Sequence, residues 1–112
     1  MIAIEPFSTN GGGYVIESSD VQIMMLKAKK AVRSRLGREL MDFVSKEYAT
    51  LPFAKRWIIE RFGQIADMEL RSLSSAGCLH EFAVLKEKDG GLVSQAEHTI
   101  LIDNGEVIVT TI

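Results

Sequence analysis

The extended stretch at residues 92–102, LVSQAEHTILI, constrains the fold more than any other part of the chain. It follows Lys88-Asp89-Gly90-Gly91, and an Asp-Gly pair between apolar runs is a strong hairpin signal, so its first residues are expected to pair back onto residues 82–87. The run continues past any such hairpin and must find a second sheet. The N-terminus offers one: Ile2, Ala3 and Ile4 read as strand, and Pro6 suits a sheet edge or strand end because it donates no ladder hydrogen bond. A turn at Asp103-Asn104-Gly105 leads into a last strand at residues 107–112.

Between these β ends the pattern is helical. Leu36, Leu40, Met41, Phe43 and Val44 share one apolar face of a first helix. Thr50 and Pro52 mark a restart, since Thr caps and Pro is tolerated in the first turn; Phe53, Trp57, Ile58 and Phe62 then form a face that Gly63 terminates. In a third helix, residues 65–76, Ile65, Met68 and Leu73 are expected to point inward, with Gly77 as the stop. Asn10-Gly11-Gly12-Gly13 predicts a hairpin between residues 1–8 and 14–17, and with no helix after the glycines a nucleotide-binding loop is disfavoured. Residues 21–26 are apolar without a break and fit either a buried strand or the front of a helix.

At 112 residues the chain suits one domain, or one with a small inserted lobe. A net charge of -2 argues against general attraction to nucleic acid or anionic membrane, although Lys27, Lys29, Lys30, Arg33, Arg35 and Arg38 fall together. Cys78 is the single cysteine, which excludes an internal disulfide and a multi-cysteine zinc site and suits a reducing cytoplasm. No stretch approaches the roughly 18 apolar residues of a membrane-spanning helix, so a soluble cytoplasmic chain is expected.

Two acids interrupt the apolar strands. Glu5 follows Ile4, and Glu97 lies in the long run, where a regular strand gives it the face of Val93, Gln95, Thr99 and Leu101 while His98 points the other way. A half-buried glutamate is costly without a cation or hydrogen-bond network, so the pair either meets on adjacent strands around a cation or lies on solvent faces. On spacing alone the solvent-face reading is the simpler. His80 reads as a surface residue, His98 as a structural residue, and Trp57 and Phe53 as core.

Three motifs bear on that choice: IEPF at residues 4–7, LPFAKRW at 51–57 and QAEHTILI at 95–102. In this order and spacing they resemble the C-terminal part of the type 2 methionine aminopeptidases, the archaeal ones above all. The resemblance implies an α+β chain. It would be the C-terminal part of a two-halved pita-bread (creatinase/aminopeptidase) fold, with residues 1–32 and 93–112 in the catalytic sheet and residues 33–92 forming an inserted three-helix, winged-helix-like subdomain. It also favours a strand at residues 21–26. Glu5 then corresponds to the penultimate metal ligand, Glu97 to the last, bridging one, and Phe82 to a residue lining the pocket for the methionine side chain, with plain packing under the wing as the alternative for Phe82.

The family removes N-terminal Met from nascent proteins with two divalent ions (Mn, Fe, Co or Zn). Closely spaced cations need several anionic oxygens, one of them bridging, to offset their repulsion. The resemblance implies five ligands, two aspartates and a histidine besides the glutamates, and places the other three upstream of Glu5. These residues alone are therefore expected to hold metal weakly and to be inactive, with an N-terminal half or a second copy covering the exposed sheet. The alternative is a non-catalytic winged-helix-like module for nucleic acid, ribosome or a protein partner. Its candidate recognition helix opposes Asp67 and Glu69 with Arg71 alone, a poor surface for a groove.

Overall fold

The computed structural model describes residues 1–111, which form a mixed structure of strands and three helices. In chain order these are β1 (Ile2–Ile4), β2 (Phe7–Thr9), β3 (Val15–Leu26), α1 (Arg35–Glu47), β4 (Phe53–Ala54), α2 (Lys55–Phe62), α3 (Ile65–Ser75), β5 (Leu79–Glu87), β6 (Val93–Gln95), β7 (His98–Asp103) and β8 (Glu106–Val109). They fall into two compact units, one of Met1–Ile16 with the chain from Leu85 onward, the other of Glu17–Val84. No helix among the described residues is long and apolar enough to cross a membrane.

The Glu17–Val84 unit holds the apolar core: Met24, Leu40, Met41, Val44, Phe53, Ile58, Ala66, Leu70, Leu73, Cys78 and Leu79. Helix α1 starts where Ser34, in extended conformation, accepts the Gly37 N–H on its hydroxyl at 3.2 Å. The same hydroxyl donates to Glu69 Oε2 of α3 at 3.0 Å, which ties the start of α1 to α3. Gly37 is required here, because a Cβ would run into the Glu69 carboxylate and lie 2.9 Å from Val32. Residues 21–26 are strand, as the resemblance implies, in a sheet ordered β4-β3-β5.

Three expectations about the helices are corrected. The second helix begins at Lys55, not near Thr50 and Pro52, because Phe53 and Ala54 pair with Met24 and Ile23 as strand. Burying a phenylalanine contributes about 1.5–3 kcal/mol, whereas a threonine cap contributes roughly 1 kcal/mol. Trp57 is not core: it is 43% exposed and stacks on Tyr48 at 5.9 Å. On α3 the inward stripe is Ala66, Leu70 and Leu73, while Ile65 and Met68 are 65% and 74% exposed. The small Ala66 lets the helix approach its neighbours closely, and its four-residue step to Leu70 continues the buried face.

In the other unit the turn at Asn104 (φ 47°) and Gly105 (φ 88°) joins β7 to β8 as expected. The two remaining hairpins do not form. Strand β2 pairs with β6, and β5 with β3, so neither the Asn10–Gly13 loop nor the Lys88–Gly91 turn connects paired strands, and the wing hairpin is absent. Among the described residues, every member of the buried apolar core lies in the Glu17–Val84 unit. Ile2, Phe7, Leu92, Ile102 and Val107 all stand exposed on the strands and loops of the first unit, as expected for an uncovered sheet.

Candidate functional site

Strands β1 and β7 pair antiparallel, as do β2 and β6, and in both ladders the partner numbers add to 102: Ile4 faces His98 and Phe7 faces Gln95. The register is therefore one register. Beyond the second ladder Asn10 donates its backbone N–H to Leu92 O at 3.4 Å, and between the two ladders Ala96 donates to Pro6 O at 3.2 Å. Pro6 has no N–H to return, which is why a single ladder is split in two.

This register sets Glu5 level with Glu97. Antiparallel pairs alternate between hydrogen-bonded and non-hydrogen-bonded positions; Pro6 and Ala96 occupy the former, so Glu5 and Glu97 occupy the latter, where side chains approach most closely and Cα atoms are typically about 4.5 Å apart. Both residues are exposed. Gln95, two positions from Glu97 and on its face, donates from Nε2 to Glu5 Oε2 at 2.9 Å. The two glutamates thus meet across strands, and both also face solvent.

Two carboxylates directly opposite one another repel. Among the described residues no ion pair involves either of them. Carboxylate oxygens are donors of the kind hard divalent cations take, and among the described residues no group of three or more His, Cys, Asp or Glu side chains comes together. His98 pairs with Ile4, on the opposite face from Glu97, with Nδ1 3.2 Å from Thr111 Oγ1. In the Glu17–Val84 unit, Phe82 is half-exposed on β5 and packs edge-on against the exposed His80, with ring centroids 4.6 Å apart.

A third glutamate was not legible in the sequence. Glu87 is buried, and its carboxylate accepts backbone N–H groups from Gly13 (3.1 Å), Asp89 (2.7 Å) and Gly91 (2.9 Å). These bonds, that from Gly91 first, hold its pKa below the ordinary carboxylate value against the opposing effect of desolvation. The glycine triplet therefore cradles an internal anion. A Cβ on Gly11 would collide with this carboxylate, one on Gly12 with Asp89, and one on Gly91 would lie 2.5 Å from the Gly11 backbone nitrogen. Gln95, placed on the face of Glu97 by its two-residue spacing, was given no role by the sequence.

Three of the six basic residues between Lys27 and Arg38 have structural partners. Lys30 reaches Ala76 O at 2.7 Å, Arg38 reaches the carbonyls of Val32 and Arg33, and Arg35 pairs with Glu39.

Sequence comparison adds what the geometry alone does not. Over 99% of its length the chain is 41% identical to a methionine aminopeptidase of Methanocaldococcus jannaschii and to one of Archaeoglobus fulgidus, and 43% identical to one of Pyrococcus horikoshii. The chain is a homologue of the archaeal methionine aminopeptidases. It spans 37–38% of the length of these methionine aminopeptidases. No family model matches the chain. Among solved structures, a thermophilic Arx1 superposes with a TM-score of 0.78 over 96% of this chain and 29% of that one, at 19% identity, a likeness of fold.

Proposed function

We propose that these residues supply two ligands, and part of the substrate pocket, of a dinuclear-metal methionine aminopeptidase of the pita-bread fold that removes N-terminal Met from nascent proteins. The observation that carries the reading is the cross-strand pairing of Glu5 with Glu97, two exposed carboxylates set level on homologous sequence. Divalent ions bound at these carboxylates would supply Lewis acidity for hydrolysis of the first peptide bond. The chain's own part is to concentrate negative charge on one face, where Glu97 and Glu5 would each hold the ions. Three further ligands, two aspartates and a histidine, come from polypeptide outside residues 1–112.

Phe82 contributes to the pocket for the methionine side chain. Its half-exposed ring supports this, since it is not consumed by the core. Residues 1–32 and 93–112 belong to the catalytic sheet and residues 33–92 to a helical insertion, a division supported by all three helices lying between Arg35 and Ser75. The exposed apolar strands are covered by an N-terminal half or by a second copy.

The test is hydrolysis of a Met-Ala peptide with Mn²⁺ or Co²⁺. The 112 residues by themselves are expected to be inactive, and the full polypeptide, or a mixture with an N-terminal half, to be active and to lose activity on Glu97→Gln. Robust turnover by residues 1–112 alone overturns the incomplete site, and an unchanged rate in Glu97→Gln overturns the ligand assignment.

A further inference from the structure

We infer that Gln95 is a positioning residue for Glu5: its neutral side-chain amide holds one oxygen of that carboxylate so that the pair with Glu97 is oriented for a divalent cation. The inference rests on the metal-site reading above and adds to it a residue outside the ligand set. The 2.9 Å bond from Gln95 Nε2 engages Glu5 Oε2. Gln95 faces Phe7 in the ladder, so it is the diagonal neighbour of Glu5, within the reach of a long side chain across an antiparallel pair. No side chain among the described residues makes a corresponding bond to Glu97. The two carboxylates are thus treated differently, Glu5 restrained and Glu97 left free.

The chemistry of the restraint matters. A lysine or arginine in this place would orient Glu5 equally well, but it would neutralise the carboxylate and repel an incoming divalent ion. An amide donates without carrying charge, so the full negative charge of the pair stays available to a cation. Ordering an exposed glutamine costs side-chain entropy of the same order as a hydrogen bond to a charged group returns. The bond is therefore close to balanced on its own and contributes little to folding. Its consequence is expected in metal affinity, where partners that orient a ligand are worth about 10–100-fold.

The experiment is a Mn²⁺ titration of the full polypeptide, followed by calorimetry and by the electron paramagnetic resonance of the free ion, in the native protein and in Gln95→Met, Glu5→Gln and Glu97→Gln. Gln95→Met keeps length and removes the donor. A Kd raised about 10–100-fold with an unchanged metal-free Tm, together with a Co²⁺-induced shift of the Gln95 side-chain amide resonance in the native protein, supports the inference. An unchanged Kd in Gln95→Met, while Glu97→Gln abolishes binding, overturns it and leaves the metal site standing. Binding that survives both glutamate substitutions overturns the site and the inference with it.

Discussion

Ala96 donates its backbone N–H to the Pro6 carbonyl at 3.2 Å, and Pro6 has nothing to give back. This missing bond divides an otherwise continuous ladder beside Glu5 and Glu97. Pro6→Ala restores a donor at the right register. The added exposed hydrogen bond contributes about 0.5–1.5 kcal/mol, and the loss of proline's restraint on the unfolded chain costs about 0.4–1 kcal/mol, so stability is expected to stay nearly unchanged. Hydrogen exchange should nevertheless show a new protected amide at position 6, and an unprotected amide there would contradict the single-register description.

The Glu87 carboxylate sets an acid limit on the first unit. Its folded pKa lies below the ordinary value, so the stability it provides is fully present above that ordinary value and is lost as pH falls through the folded one. Denaturation followed as a function of pH should show this loss, and Glu87→Gln should be less stable at neutral pH with a shallower acid slope. Gly91→Ala tests the same cradle from the other side. Its Cβ meets backbone that cannot swing away, so a destabilisation of about 1–3 kcal/mol is expected.

The inward stripe of α3 includes Leu70, which the helical pattern left unassigned, and excludes Met68, which was expected to point inward. Leu70 is fully buried and Met68 is exposed. Leu70→Ala should cost about 2–5 kcal/mol, whereas Met68→Ala should stay within about 0.5 kcal/mol of the native protein. Denaturant titration of the two variants distinguishes the faces.

Much of the architecture was legible because local chemistry decides it. Gly63 and the Asn104-Gly105 turn act through their own backbone, and the end of the second helix and the β7–β8 hairpin follow. What was misread depends on distant partners. The Asp89-Gly90 turn looks like a hairpin until Glu87 draws both glycine segments around its carboxylate, and Thr50 looks like a cap until Phe53 finds Met24 across a sheet. The meeting of Glu5 and Glu97 was an open alternative for the same reason: spacing along the chain carries no register, and the register comes from the pairs on either side of Pro6.

The exposed strands of the first unit lead to a prediction about association. With Ile102 and Val107 open to solvent, residues 1–112 alone are expected to sediment as a dimer or larger species at micromolar concentration. Ile102→Lys with Val107→Lys should shift the population toward monomer. A compact monomer in the unsubstituted polypeptide would contradict the uncovered sheet.

In the proposed function Glu5 and Glu97 bind the same cations. Anomalous diffraction from crystals of the full polypeptide grown with Mn²⁺ tests it most directly. Metal peaks are expected within coordination distance of carboxylate oxygens from both residues. Metal peaks elsewhere, with the two glutamates unligated, would contradict it.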